Sequence, residues 1–348
     1  MPPSTPTLDS WRRLYEAALP LKKLAPWEGM AEDEVFGVQD PETGTIGFVS
    51  VMGLLGEHFG LAVYLGAEGL YQFWDVEIFA PDIAPQSVLE IPHLQASFED
   101  RQLLESKDRK IIKDLGLQFR GKSAWPIFRS VRPGCPPWFL ETEEIRFLTH
   151  VLEQSLDVLS RYQGDPSLLE PAGDESYLVR VPRREAGALK WEDRILQIPP
   201  AGPRTISLAM NHQTLEDLKR LPQGDLQLEL DLFMLPGIIQ ARKEDRPYHP
   251  YMLLMVETQR GLILGTDLLT PLPTLEAMWG QMPLQVAQQL VRIGHRPKAI
   301  KVQSTLLLGL LARLAETAPF ELEQVDELAY LDEARASLMG EFAWFNPP

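Results

Sequence analysis

At 348 residues, 45% hydrophobic and 24% charged, the chain has the composition of an ordinary globular protein and exceeds what one core usually serves, which predicts two domains. No run of 18 apolar residues occurs, so no membrane span is expected; MPPSTPTLDSW lacks the basic-then-apolar order of a secretory signal, and a single Cys135 excludes an intrachain disulfide and a cysteine zinc site, so the expected compartment is cytoplasmic. The net charge of −16 argues against non-specific nucleic-acid binding, but it is uneven: residues 1–100 hold 4 Lys/Arg against 16 Asp/Glu, whereas Lys107 to Arg132 holds 8 basic against 2 acidic residues.

After a proline-rich start, Ser10 to Lys23 is predicted to be a helix with Trp11, Leu14 and Ala18 on one face. Glu34 to Val51 reads as a hairpin, with Pro41 and Gly44 suited to its turn. Leu61–Gly66 is a third strand, Ala67–Val76 a helix packed on that sheet, and Leu94–Glu99 a further strand. Arg101–Gly116 is an amphipathic helix with Leu104, Ile111 and Leu115 inward, followed by an extended, proline-punctuated piece over Ser123–Phe139. Glu143–Tyr162 carries the clearest helical stripe, Ile145, Leu148, Leu152, Leu156 and Leu159. Gln163–Glu175 is loop by composition, and Tyr177–Ile198 a strand pair.

Beyond that pair the pattern becomes strand, strand, strand, helix, strand, helix, strand, helix. The strands are Leu228–Leu235, Pro250–Thr258, Leu262–Leu269, Ala299–Gln303 and Phe320–Val325. The crossover run Thr274–Gly294 reads as two helices, the second opening at Pro283, where a missing N–H is least costly. Leu306, Leu307, Leu310, Leu311 and Leu314 make the next helix apolar along one side, and a helix over Tyr330–Met339 closes the unit.

The blocks LAPWEGM (Leu24–Met30), FGVQDPETGTIGFVSVMGLLGEHFGLAVYLG (Phe36–Gly66), FRGKSAWPIFRSVRPG (Phe119–Gly134) and RPYHPYMLLMVETQRGLILGTDLL (Arg246–Leu269) resemble a family of uncharacterised bacterial proteins, a resemblance that brings no activity with it. The strand order of the last segment resembles the ribonuclease H and integrase core. The expected class is therefore α+β: an acidic N-terminal α+β domain with a small antiparallel sheet over 1–163, a linker and strand pair over 164–202, and a ribonuclease H-like mixed-sheet domain over 203–348.

Integrase cores hold two divalent metals on three carboxylates, and the metals stabilise the attacking and leaving oxygens of phosphoryl transfer. By position the resemblance implies Asp231 for the first acid and Glu333 (or Asp332) for the last, as catalytic and metal-binding residues. The second falls on Gln303, a neutral amide where a hard cation wants an anion. No resident cofactor is expected, beyond weak binding of Mg²⁺ or Mn²⁺ there. The plain alternative is that Asp231 is an ordinary polar strand residue.

GLQFRGKS (Gly116–Ser123) matches G-x-x-x-x-G-K-[ST] in letters, but that loop needs a strand before it and a helix after it, and here the order is reversed. Lys107, Arg109, Lys110, Arg120, Lys122, Arg129 and Arg132, interleaved with Phe119, Trp125 and Phe128, are candidates for binding single-stranded nucleic acid. The plain alternative is the solvated face of a helix beside core aromatics. The six histidines show no metal-ligand spacing, and Cys135 has no neighbouring base. The function read from sequence is a non-catalytic binding or scaffolding module, its partner a protein rather than nucleic acid and not a membrane. The alternative is a metal-dependent phosphoryl-transfer or nucleic-acid-processing protein using Asp231 and Glu333.

Overall fold

Two sheets, of seven and five strands, organise the chain in the computed structural model, which describes residues 6–56, 58–79, 91–170, 173–202 and 205–345. The chain divides into two units, Met1–Pro203 and Arg204–Pro348, and the class is α+β in both. The proline-rich start at residues 1–5 lies outside the described residues. No helix among the described residues is long and apolar enough to cross a membrane.

In the first unit α1 (Leu8–Leu24) begins where the Thr7 side chain accepts the Ser10 N–H, satisfying one donor of the open first turn. β1 (Phe36–Gln39) and β2 (Ile46–Met52) form the expected hairpin. The Asp40 carboxylate accepts from the Glu42 N–H and the Thr43 hydroxyl, and Gly44 turns the chain back at φ 75, a region open to glycine. β3 (Gly60–Leu65), α2 (Gly66–Phe79), β4 (His93–Glu99), α3 (Ser106–Asp114), β5 (Trp125–Val131) and α4 (Thr142–Tyr162) follow. The helix expected from Arg101 starts later, because Arg101–Leu103 form a 3-10 turn and Glu105 and Asp108 make a capping box at Ser106.

The first sheet is larger than expected and mixed. Its order is β5-β4-β3-β2-β1-β6-β7, antiparallel except where β6 (Ser176–Glu185) runs parallel to β1. The pair β6 and β7 (Ala188–Gln197), expected within a linker over 164–202, therefore belongs to this sheet. α4 explains how: 21 residues span about 30 Å, enough to cross the five strand spacings of about 4.8 Å from β5 to β6. One face of the sheet packs on α1, α3 and α4 through Leu14, Ile112, Leu148 and Leu152, the other on α2 through Phe48, Leu70 and Phe73.

The second unit opens with α5 (His212–Arg220), a helix that the sequence reading left unassigned. β8 (Gln227–Met234), β9 (Tyr251–Glu257) and β10 (Leu262–Leu269) are consecutive antiparallel strands. α6 (Leu275–Gly280) and α7 (Met282–Ile293), with Pro283 in the first turn of α7, carry the chain across. β11 (Ala299–Val302) then lies parallel to β8, and β12 (Glu321–Gln324) parallel to β11, giving the order β10-β9-β8-β11-β12. Alternation along β8 separates two environments. Leu228, Leu230 and Leu232 enter the core with α7 and α8 (Thr305–Thr317), whereas Glu229, Asp231 and Phe233 meet α9 (Ala329–Phe345).

Candidate functional site

On the α9 side of β8, Glu229 is buried and its Oε2 accepts the Leu331 N–H at 2.8 Å. A strand carboxylate thus satisfies an open donor at the start of α9, where the helix dipole also favours negative charge. With Leu328 and Leu331 buried beneath it, the first turn of α9 is fixed. The next turn then brings Arg335 over Asp231. Its Nη1 lies 3.8 Å from Asp231 Oδ2, and the guanidinium sits 5.1 Å above the Phe233 ring. Burial raises the Asp231 carboxyl above its ordinary value; the Leu232 N–H and Arg335 oppose that shift, and Asp332 adds to it.

The sequence offers Glu333 or Asp332 as the partner of Asp231. The Glu333 side chain is exposed and makes no ion pair or hydrogen bond among the described residues. The acid that α9 brings within electrostatic reach of Asp231 is Asp332. Successive residues are about 100° apart around a helix, so 332 and 335 share a face that 333 leaves. Gln303 follows β11 directly. β11 pairs with β8 as far as Lys301 and Glu229, and continuing that register two residues sets Gln303 beside Asp231. Its Nε2 donates to the Asp326 carbonyl at 2.8 Å, and its own carbonyl accepts from Gln324. Among the described residues no group of three or more His, Cys, Asp or Glu is placed to hold a metal ion. The half-buried Asp231 and the exposed Asp332, beside an engaged amide and the Arg335 guanidinium, do not make the hard anionic shell that Mg²⁺ or Mn²⁺ requires.

The basic candidates of the first unit divide into two groups. Arg129, at 8% exposure, donates to both oxygens of Asp108 at 3.0 and 2.7 Å, to Glu105 at 3.2 Å and to the Phe128 carbonyl, and lies 4.6 Å over the Phe139 ring. Burial opposes its charge, but the bonds and charges of Asp108 and Glu105 raise its pKa. Arg132 is held by Glu141 and Glu144, Lys110 by Asp114, and Lys107 lies over Phe139 at 4.3 Å. Against the desolvation of burial, Arg132 and the Ser130 hydroxyl hold the Glu144 carboxyl below its usual range. All four have partners within the fold, buried for Arg129 and at the surface for Lys110.

Arg109, Arg120 and Lys122 are exposed and in no ion pair among the described residues, and the structure brings Arg101 and Lys113 to them. They rim two adjoining depressions. One of about 590 Å³ is lined by Asp100, Arg101, Gln102, Arg109, Gly121 and Lys122. The other, of about 600 Å³, shares Arg101 and Arg109 and adds Lys113 and Arg120 over a floor that includes Leu104, Phe119 and Trp125. The Gly116–Ser123 segment runs between them with α3 before it and β5 after it, so no helix N-terminus faces it. Arg335 escaped the sequence reading because its role depends on how α9 crosses β8. Arg101 escaped because it stands outside the densest basic run.

Residues 11–180 match a domain of unknown function, DUF7309, and residues 214–339 match a second domain of unknown function, DUF6930. No curated protein and no solved structure matches the chain.

Proposed function

We propose that the protein is a non-catalytic binding module whose second unit is a ribonuclease H-like scaffold with its carboxylate position closed by an arginine. The antiparallel β10-β9-β8 meander with β11 and β12 added in parallel supports the scaffold assignment. The observation that carries the functional reading is the Arg335 guanidinium 3.8 Å from Asp231. In a two-metal phosphoryl-transfer site the charge opposite that aspartate would be a divalent ion held by further carboxylates. Here one organic cation takes that side of Asp231, and the register neighbour is an amide already bonded elsewhere.

The test is calorimetric titration of the whole chain with Mn²⁺ and Mg²⁺, beside a hydrolysis assay on single- and double-stranded DNA and RNA. The expected result is no binding tighter than millimolar and no metal-dependent cleavage. Cleavage that requires Mn²⁺ and is abolished by Asp231→Asn would overturn the proposal in favour of a phosphoryl-transfer enzyme.

A further inference from the structure

We infer that the paired depressions around Arg101 and Arg109 form a binding site for a compact phosphate-rich anion, a chain of two or more linked phosphates. The inference is independent of the second unit. The chain carries 49 acidic against 33 basic residues, so a cation on its surface has ample opportunity to pair with a carboxylate. Arg129, Arg132 and Lys110, in the same stretch, all do so. Among the described residues Arg101, Arg109, Lys113, Arg120 and Lys122 form no ion pair, and all five converge on two adjoining depressions. Arg101 lies over the Trp125 ring at 5.7 Å, and keeping five cations together with only Asp100 among them costs mutual repulsion, which a polyanion between them converts into attraction.

The polar depression also holds one carboxylate, Asp100, against three cations. Asp100 Oδ1 accepts the Ser123 N–H at 2.7 Å, tying down the end of the 116–123 segment, and Lys22 holds the Ser123 carbonyl from the other side. Those ties fix the segment from which Lys122 lines the depression together with Arg101 and Arg109. Three of the five cations are arginines, whose planar forks suit the paired oxygens of phosphate. Phosphate would be held by side chains here, not by backbone N–H groups as in the loop whose letters this segment copies. The depression is open and, at about 590 Å³, admits a short phosphate chain with room to spare. The adjoining floor with Leu104, Phe119 and Trp125 offers room for an apolar appendage if the chain belongs to a nucleotide.

The probes are inorganic tripolyphosphate, a nucleoside triphosphate and single-stranded oligonucleotides of increasing length, measured by calorimetry on the full chain. Tripolyphosphate is expected to bind, with affinity falling as salt rises. Arg109→Ala, at the junction of both depressions, should weaken it at least tenfold and Lys122→Ala severalfold. Lys110→Ala, the neighbouring cation already paired with Asp114, should leave it within twofold. Unchanged melting temperatures of these exposed-site variants separate loss of binding from loss of fold. A nucleoside triphosphate binding tenfold tighter than tripolyphosphate identifies a nucleotide source, and equal binding identifies inorganic polyphosphate; either sustains the inference. Three results overturn it: no binding of either phosphate chain at millimolar concentration, equal weakening by Lys110→Ala, or oligonucleotide affinity that grows with strand length and exceeds both.

Discussion

Arg129–Asp108 in the first unit and Arg335–Asp231 in the second are the same pair of residue types in opposite circumstances. The Arg129 and Asp108 side chains keep 10% and 6% of their exposure, bond bidentately, and add Glu105, a carbonyl and an aromatic ring. The Arg335 side chain is 44% exposed and reaches an Asp231 that is 17% exposed at 3.8 Å. Desolvation separates the cases. A buried ion pair is costly to form and much costlier to break, because the surviving partner is stranded, whereas a half-exposed pair is screened by water. The first pair locks α3 to β5. The second covers a strand carboxylate that burial would otherwise leave poorly compensated.

The largest expected effect follows directly. Asp108→Ala should destabilise the first unit by about 3–5 kcal/mol, the range for breaking a buried pair from one side, read as a drop in the denaturation midpoint. The double variant Asp108→Leu/Arg129→Met should recover most of that loss, because it strands no charge. A single-variant cost below about 1 kcal/mol, the range of a surface ion pair, would erase the contrast between the two sites.

The sequence made the elements of the second unit legible because its strands and helices are long, periodic and separated by clear turns. The parallel pairing of β11 with β8 follows from that order. What it did not reveal were facts of crossing geometry. Asp332 and Glu333 are equivalent in a linear reading, and only the seating of α9 by Leu328, Leu331 and the Glu229 carboxylate decides which one approaches Asp231. In the first unit the basic run looked like one feature, but neutralisation by Asp108, Asp114, Glu141 and Glu144 depends on folding. The parallel pairing of β6 with β1 was hidden because it joins segments about 140 residues apart. α5 does carry a signal in the sequence: Asn211, whose side chain accepts the Thr214 N–H, stands before Leu215 and Leu218 at helical spacing.

If Arg335 stands in for metal charge, the site should be convertible. Gln303→Asp with Arg335→Ala would set an acid beside Asp231 and remove the competing cation. Without metal the variant should melt below wild type, because two carboxylates repel; with Mn²⁺ at about a hundred times its Kd, binding contributes about 2.7 kcal/mol. A thermal scan in EDTA and in millimolar Mn²⁺ reads both arms, and wild type should respond to neither. A variant indifferent to Mn²⁺ would mean that the two positions do not converge. A smaller effect belongs to Glu144. Its folded pKa is depressed below the ordinary carboxylate value, so the stability it supplies is present above the unfolded pKa and lost as pH falls through the folded one. Glu144→Gln should therefore cost stability at pH 7, and that cost should shrink as pH falls through the folded pKa, read from denaturant unfolding across the acid range.

The smallest effect gives the sharpest comparison. Asp231 titrates in the opposite sense from Glu144, because burial raises its folded pKa above the unfolded value. Between those two values the folded state binds more protons, so the contribution of Asp231 to stability falls as pH rises through that window and is flat beyond it. Arg335 matters only while Asp231 is charged. Arg335→Ala should then cost less than about 1 kcal/mol at neutral pH, and its electrostatic part should vanish once Asp231 is protonated. Loss of the stacking on Phe233 persists at every pH, so the variant alone is ambiguous. A double-mutant cycle with Asp231→Asn removes the ambiguity, because stacking cancels in the coupling energy. Coupling that is present at pH 7 and absent near pH 3 is the expected outcome, read from denaturant unfolding at each pH. Coupling of equal size at both would mean that the guanidinium stabilises α9 by packing alone, and the two arginines would then differ in degree only.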